Sequence, residues 1–181
     1  MSALNHKIPE AAMSEPIEIS VCVNGVEQTR RVAPRTHLID FLRDDLGIKS
    51  ARVGCEHGVC GACTVRLDGD IVRGCLVLAV QADGREVETI DGASDRGDLS
   101  DLQAAFHAHN ALQCGFCTSG MLLTASALAT EKPDATRGEV REYMSGNYCR
   151  CTGYQAIVDA VCDVLAQRRA AASAALAGDP A

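Results

Sequence analysis

Ten cysteines in a chain of 181 residues are the feature that most limits what this sequence can fold into. So many cysteines indicate either disulfides in a secreted protein or metal ligands in a cytosolic one. The N-terminal segment carries Lys7, Glu10 and Glu15 and contains no continuous apolar run, so we expect no signal peptide. Nowhere is an apolar run long enough to predict a membrane span. The sequence therefore predicts a cytoplasmic protein whose reduced thiols bind metal.

Four of the cysteines have the opening spacing that is typical of plant-type [2Fe–2S] ferredoxins: Cys55, Cys60, Cys63 and, further along the chain, Cys75. A loop that folds over a small inorganic core can supply three thiolates, and a neighbouring strand can supply the fourth. Glycine adopts positive φ at little cost and leaves room for the backbone to approach a metal. Three glycines of the loop meet that need: Gly54, Gly58 and Gly61. Main-chain N–H groups of such a loop can point at the cluster sulfurs and raise the reduction potential.

Two other kinds of metal site fit this segment less well. A Rieske site needs Cys-x-His followed by Cys-x-x-His, and residues 55–57 supply only the first half. A zinc ion could take Cys60 and Cys63 with a second pair, but Cys55 and the lone Cys75 would then overfill a tetrahedral site. A loop of ordinary glycines and unrelated thiols is the remaining alternative, and free cysteines rarely recur at ligand spacing.

A second group of cysteines comes as two pairs, Cys114-x2-Cys117 and Cys149-x-Cys151. The segment between the pairs is long enough for two helices that run out and return. Both pairs stand at apparent helix starts, where free N–H groups and the positive end of the helix dipole favour an anionic thiolate cluster. Taken alone, this group would leave zinc as a serious competitor. Downstream of a ferredoxin-like loop, it favours a second [2Fe–2S] site.

The first half of the chain has the pattern of a small sheet. Asn24-Gly25 and Asp68-Gly69 each separate two strand-like segments, and such pairs predict type I′ hairpins. Residues 85–90 predict one further short strand, and residues 71–80 extend the second hairpin as a long apolar segment. A helix that we expect to be capped by Thr36 would pack on these strands.

The second half has a helical pattern instead. Apolar residues recur at helical spacing in four segments: residues 102–112, 120–132, 137–145 and 154–167. We therefore predict an α+β fold, in which a β-grasp, plant-ferredoxin-like domain over residues 16–91 precedes an all-α four-helix domain over residues 92–166. Residues 1–15 and 167–181 are expected to be tails.

Composition excludes one broad class of function and constrains the core. The formal net charge of −7 is spread along the chain, whereas nucleic-acid binding needs a basic patch. Aromatic residues make up 3% of the chain and Trp is absent, so the cores must be built from aliphatic side chains. Bound clusters would help to stabilise such small cores.

Several other metal-binding or charged residues carry no predicted role in ligation. Cys22 and Cys162 lie in apolar patterns and are expected to be buried small hydrophobes. His107 and His109 are expected on a helix surface, because cysteine already completes both sites. Arg150 lies between two cysteines and either offsets cluster charge or is simply exposed.

Three segments closely resemble the iron–sulfur (small) subunit of the xanthine dehydrogenase family of molybdenum hydroxylases: GCEHGVCGACTV at residues 54–65, QCGFCTSGM at 113–121 and GNYCRCTGYQAI at 146–157. The resemblance extends over residues 17–165, since THLIDFLRDDLG and TIDG also match family positions in order. Two positions depart from the usual pattern, with Ser119 where Pro is common and Tyr148 where Leu is commoner. Neither change threatens ligation, because Ser is acceptable at a helix start.

This resemblance implies an electron-transfer subunit with one [2Fe–2S] cluster in each domain and no catalytic residue of its own. The implied ligands are Cys55, Cys60, Cys63 and Cys75 for the first cluster and Cys114, Cys117, Cys149 and Cys151 for the second. The family also implies a large subunit that binds the molybdopterin cofactor, whose pterin Gln113 would contact, and often a medium subunit that binds FAD. The first cluster would lie nearer FAD and the second nearer the molybdopterin.

A different class of function stays open at this point: a freestanding two-cluster ferredoxin-like carrier, or a zinc-stapled regulatory protein. The second cysteine group argues against a diffusible carrier, which needs only one cluster. A zinc protein would be colourless, whereas an iron–sulfur protein is brown. The substrate cannot be predicted from this chain, because the substrate pocket would belong to another one.

Overall fold

The structure, a computed structural model, describes residues 15–177, so the predicted N-terminal tail lies outside the described residues except for Glu15. The first half of the chain forms a mixed five-stranded sheet. Its strands are β1 (Ile17–Val23), β2 (Val26–Val32), β3 (Thr64–Leu67), β4 (Asp70–Arg73) and β5 (Glu86–Glu88). They lie in the order β2-β1-β5-β3-β4, with β1 and β5 parallel and the other neighbours antiparallel.

The two predicted hairpins are confirmed. Asn24 and Gly25 have φ values of 51° and 80°, and Asp68 and Gly69 have φ values of 50° and 90°. Two successive residues with positive φ are the mark of a type I′ turn, whose twist matches that of the flanking strands. The turn residues therefore fix the register of both hairpins.

The apolar segment after the second hairpin leaves the sheet sooner than its pattern predicts. β4 ends at Arg73, and the chain then turns, with the Leu76 N–H donating to the Arg73 carbonyl at 2.8 Å. The Gly74 N–H donates to the Cys63 carbonyl at 3.0 Å. This turn brings Cys75 beside Cys63, after which a short 3₁₀ turn (Ala79–Ala82) leads to β5.

One helical segment covers the sheet. Helix α1 (Leu38–Asp40) continues directly into a π-helical segment, Phe41–Asp45, and its apolar residues Leu38, Phe41 and Leu42 are fully buried. The prediction that Thr36 caps this helix is wrong. His37 occupies the N-cap position and makes no side-chain hydrogen bond there. The β-grasp, ferredoxin-like architecture predicted for this half is confirmed.

The second half is entirely helical. Its helices are α2 (Ile90–Asp95), α3 (Ser100–Ala108), α4 (Thr118–Glu131), α5 (Arg137–Met144) and α6 (Gln155–Ala177). The last four correspond to the four predicted helices, and α2 is an additional short turn capped by Thr89, whose hydroxyl accepts from the Asp91 N–H. Helix α4 lies at the centre, since every residue from 120 to 129 is buried.

Helix α6 extends the second half beyond its predicted end. Residues 167–177 continue the helix rather than forming a separate tail, and residues 178–181 lie outside the described part. Alanine-rich sequence favours helix, and Arg168 ties this segment to α3 through two hydrogen bonds to Asp101 at 2.7 and 2.9 Å. Within residues 15–177, no helix combines the length and apolarity that crossing a bilayer requires.

Each half has a core of its own. The first is built from residues such as Val21, Phe41 and Val65, and the second from residues such as Phe106 and Leu123. The change from strand to helix occurs between β5 and α2, close to the predicted boundary at residues 91/92. Polar contacts near the cysteine loops join the two halves, and Ile71 of β4 packs against the helical core.

Candidate functional site

The first cysteine quartet, Cys55, Cys60, Cys63 and Cys75, is drawn together by the loop before β3 and the turn after β4. Cys63 and Cys75 are each 2% exposed, and their Sγ atoms are 3.3 Å apart. Cys55 and Cys60 are half-buried, and the Cys60 N–H points at the Cys55 Sγ at 3.3 Å. The four sulfurs therefore form an inner pair and an outer pair.

The three glycines of this loop are required for different reasons. Gly58 and Gly61 have φ values of +84° and +73°, as predicted. Gly54 does not have positive φ; a Cβ at this position would lie only 2.9 Å from the Cys60 Sγ, so close approach to the sulfur excludes a side chain. A Cβ at Gly58 would collide with the Leu76 side chain, and one at Gly61 would lie 2.7 Å from the Gly146 carbonyl oxygen.

The second quartet, Cys114, Cys117, Cys149 and Cys151, forms where α4 begins and where the chain approaches α6. The Sγ atoms of Cys114 and Cys151 are 3.6 Å apart, and both residues are exposed. Cys117, the N-cap residue of α4, is buried, and Cys149 packs against the helical core that contains Cys117. Each sequence motif thus supplies one exposed thiol and one more buried thiol to the site.

Main-chain N–H groups surround one thiol of this quartet in particular. The N–H groups of Cys151 and Thr152 both point at the Cys149 Sγ at 3.4 Å. Burial raises the pKa of Cys149, but hydrogen bonds from Thr152 and Cys151 outweigh burial, so the pKa lies below its usual value. Such N–H groups stabilise a thiolate at this position.

The thiols differ in how readily they ionise. The N–H groups of His57 and Cys60 lower the pKa of Cys55 to about 6, and that of Phe116 lowers the pKa of Cys114. Burial raises the pKa of Cys63 to about 11 and that of Cys117 to about 12. A bound cation would replace the proton on these two buried thiols.

The pairing of the sulfurs distinguishes between kinds of metal site. Zinc in a structural site needs four ligands around one ion. Two sulfurs for each of two irons is the demand of a [2Fe–2S] cluster. The arrangement of both quartets, two pairs each, fits a two-iron cluster better than zinc.

Comparison with known proteins agrees with this geometry. Residues 21–94 match the family described as 2Fe-2S iron-sulfur cluster binding domain, and residues 89–162 match the [2Fe-2S] binding domain family. Nicotine 6-hydroxylase small subunit from Paenarthrobacter nicotinovorans is 53% identical, with 85% of this chain and 93% of that protein covered. Xanthine dehydrogenase iron-sulfur-binding subunit from Escherichia coli O157:H7 is 43% identical, with 83% and 95% covered. The chain belongs to the iron–sulfur subunits of the xanthine dehydrogenase family of molybdenum hydroxylases.

A solved structure supports the fold of this iron–sulfur subunit. One chain of quinoline 2-oxidoreductase from Pseudomonas putida 86 superposes with a TM-score of 0.77 at 48% sequence identity, covering 86% of this chain and 98% of that one. The family resemblance and the two [2Fe–2S] domains predicted from the sequence are therefore confirmed. The alternative prediction of a zinc-stapled regulatory protein is wrong, because both halves match iron–sulfur families.

Gln113 lies beside the second quartet of the iron–sulfur subunit. It is exposed, and its Nε2 donates to the Cys151 carbonyl oxygen at 3.0 Å. The side chain thus links the segment before α4 to the segment before α6. Its predicted contact with a pterin stays a prediction.

Two residues of the site escaped sequence analysis. Asn147 is 1% exposed and donates a hydrogen bond to the first cysteine loop. The Tyr154 hydroxyl accepts from the Cys149 N–H at 2.9 Å, and Tyr154 itself has a φ of +68°. Both lie within the motif of residues 146–157. The only sequence signal was a polar residue close to a cysteine pair, and nothing local reveals its distant partners.

The remaining cysteines and histidines lie at the margins of the cores. Cys22 and Cys162 are half-buried rather than fully buried, and Cys162 packs at the edge of the helical core. His107 is exposed, and the His109 side chain is one third exposed, so both lie at the surface as predicted. The His109 Nε2 lies 3.2 Å from the Asp163 carboxylate. Arg150 is exposed.

Proposed function

We propose that this chain is the electron-transfer subunit of a molybdenum hydroxylase complex, with two [2Fe–2S] clusters between the molybdopterin of a large subunit and an electron acceptor. The observation that carries the proposal is the presence of two paired cysteine quartets in one chain, joined by a direct main-chain hydrogen bond. Membership of the family supports it. We expect the substrate chemistry to take place in the large subunit, with no catalytic residue in this chain.

The proposed ligands of the first cluster are Cys55, Cys60, Cys63 and Cys75, and those of the second are Cys114, Cys117, Cys149 and Cys151. Sulfur distances favour Cys63 with Cys75 on one iron of the first cluster. In the second cluster they favour Cys114 with Cys151 on one iron, which leaves Cys117 with Cys149 for the other. When bound, each cluster supplies a centre that accepts and releases one electron at a time.

The protein tunes these sites through hydrogen bonds and burial. N–H groups stabilise the outer thiolate of the first quartet at Cys55 and the thiolate of Cys149 in the second. Hydrogen bonds to ligand sulfurs raise a cluster's reduction potential, and solvent exposure changes it as well. Because Cys63 and Cys75 are buried while Cys114 and Cys151 are exposed, the two centres have different surroundings. Distinct potentials are therefore expected.

A short path of bonds connects the two quartets. The Tyr148 N–H donates to the Cys60 carbonyl oxygen at 2.8 Å, and Tyr148 precedes Cys149 directly in the chain. One hydrogen bond and a few covalent bonds therefore separate a proposed ligand of the first cluster from one of the second. This proximity supports a relay rather than two unrelated sites.

Exposed apolar side chains around the second quartet support a docking surface for the large subunit. They are Leu112, Phe116, Tyr148 and Tyr154. Large exposed apolar groups that cluster together mark interaction sites. Gln113 lies among them, which supports its proposed contact with the pterin. Val59 and Leu76, exposed beside the first quartet, would lie toward an FAD-binding medium subunit.

We further propose that the complex works in the cytoplasm. All ten cysteines lie in the described part of the chain, and none of them forms a disulfide there. Thiols remain reduced and available to metals in that compartment.

Purification of the native complex tests the proposed function. We expect a molybdopterin-binding large subunit to co-purify, about four irons per copy of this chain, and two distinct paramagnetic centres on reduction. Recovery of the chain alone with four irons would favour the freestanding carrier. Zinc in place of iron would contradict both proposals.

A further inference from the structure

A buried amide lies at the junction of the two cysteine loops. The Asn147 Nδ2 donates to the Gly61 carbonyl at 3.1 Å and lies 3.4 Å from the Thr64 Oγ1, and both of these partners flank cysteines of the first quartet. Its Oδ1 accepts from the Thr124 hydroxyl of α4 at 3.0 Å. One side chain, two residues before Cys149, therefore contacts the first cysteine loop and the central helix.

Two glycines make room for this amide. A Cβ at Gly61 would lie 2.7 Å from the Asn147 Nδ2, and a Cβ at Gly120 would lie 3.0 Å from the same atom. A Cβ at Gly120 would also collide with the Gly61 carbonyl oxygen. The absence of side chains at both positions lets α4 and the first loop close around Asn147.

A guanidinium completes the junction from the sheet. The Arg73 Nη2 donates to the Gly146 carbonyl at 2.7 Å, and its Nη1 donates to the Thr64 hydroxyl. The same Nη2 lies 3.5 Å from the Asn147 Oδ1. Thr64 in turn donates to the Gly61 carbonyl at 2.6 Å. A buried polar group without a hydrogen-bond partner costs free energy. Because these groups are paired with one another, any shift of the two loops would break hydrogen bonds, which favours a single arrangement of the loops.

We propose that Asn147 is a positioning residue that fixes the segment before Cys149 against the loop of Cys60 and Cys63, and so sets the spacing of the two clusters. This inference rests on the proposed electron-transfer function. The hydrogen bond from Tyr148 to Cys60 depends on the junction, because Tyr148 follows Asn147 directly. Loss of the amide frees this segment and weakens the coupling between the clusters.

A second contact between the halves provides a matched control. The Arg66 Nη2 donates to the Ser126 Oγ of α4 at 2.9 Å. Ser126 is 7% exposed and belongs to neither cysteine loop. Asn147→Ala and Ser126→Ala both remove a hydrogen bond between the halves, and only the first removes one between the cysteine loops.

The test compares these two variants in the isolated holo-complex. Hydrogen–deuterium exchange of the peptide that contains Tyr148 is expected to be about tenfold faster in Asn147→Ala, the factor that corresponds to loss of one buried hydrogen bond. The magnetic interaction between the two reduced clusters is expected to weaken in the same variant. Ser126→Ala is expected to keep both properties. Unchanged exchange and unchanged interaction in Asn147→Ala, or equal changes in both variants, would overturn the proposal.

A milder variant keeps the inference testable where Asn147→Ala does not assemble. Thr124→Val keeps the amide and removes only the hydroxyl that bonds its Oδ1 atom. It is expected to change exchange and magnetic interaction in the same direction by less. A wild-type complex with about four irons and two signals upholds the proposed function whatever these variants do, so the two proposals fail separately.

Discussion

The Tyr148 N–H donates to the Cys60 carbonyl oxygen at 2.8 Å, across the junction of a sheet domain and a helical domain. The two halves bury separate apolar cores, and polar groups join them close to the cysteine loops. Directional hydrogen bonds fix distances and angles more tightly than apolar packing does. The junction is therefore suited to holding two metal sites in a constant relationship.

Replacement of one cysteine is expected to remove one cluster and leave the other. In Cys149→Ser, iron should fall from about four to about two per chain, because each domain gathers its own ligands. Paramagnetic resonance of the reduced complex should then show one signal in place of two. Cys22→Ser is the control, since Cys22 belongs to neither quartet, and it should retain both signals. Loss of both signals in Cys149→Ser would contradict independent sites.

Gly61→Ala is expected to be more damaging than Gly69→Ala, although both glycines have positive φ. Holding an alanine at positive φ costs about 1–2 kcal/mol of stability in both variants. A Cβ meets nothing within 4 Å at Gly69 but lies 2.7 Å from two atoms at Gly61, so overpacking adds about 1–3 kcal/mol only there. Thermal unfolding and iron content of the complex measure the difference. Equal losses would show that crowding at Gly61 has no effect.

Phe116→Ser is expected to weaken association with the large subunit about tenfold, because a central aromatic anchor contributes strongly to an interface. Phe116 is 44% exposed beside the second quartet. Ile17→Ser is a matched control, since Ile17 is 46% exposed at the start of β1. Binding of each variant to the purified large subunit measures the effect. Identical affinities for the two variants would exclude this face as the docking surface.

Tyr143 is expected to make stability fall at alkaline pH. Burial, together with the hydrogen bond that its hydroxyl donates to Glu131 at 2.9 Å, raises its pKa to about 12. Because the folded-state pKa lies above the unfolded value near 10, this contribution is complete below about pH 10 and is lost as the pH rises toward 12.

The matching variant is Tyr143→Phe, which lacks the titrating hydroxyl. At pH 8 it should be less stable than the wild type by about 1 kcal/mol, the usual contribution of one hydrogen bond. The gap in thermal midpoint should close as the pH approaches 11. Parallel curves from pH 8 to about pH 11 would rule out this role for Tyr143.

The features predicted correctly depend on local chemistry. Asn24-Gly25 and Asp68-Gly69 adopt positive φ whatever surrounds them, and the cysteine spacings carry their own geometry. Of the two reasons predicted for the loop glycines, only close approach applies to Gly54, where the constraint comes from the Cys60 sulfur and not from a positive φ. The early end of β4 was missed because an apolar run reads as a strand, whereas this one turns to deliver Cys75 to Cys63.

Asn147 could not be identified from its neighbours in the sequence. Its partners Gly61, Thr64 and Thr124 lie in a loop, a strand and a helix that only the folded chain brings together. The helical extension of α6 was also missed. Arg168 and Asp101 stabilise it by a pairing between helices that no local pattern reveals.

The unequal exposure of the two quartets has a consequence for how each site meets oxidants. Cys63 and Cys75 are enclosed by this chain's own core, so the inner half of the first site is shielded from dissolved oxygen as soon as its domain has folded. Cys114 and Cys151 face water in the unassembled chain, where oxidants reach their sulfurs directly. If the proposed large subunit docks on this face, we expect the second site to become durable only on assembly, which would then be the final step of its protection.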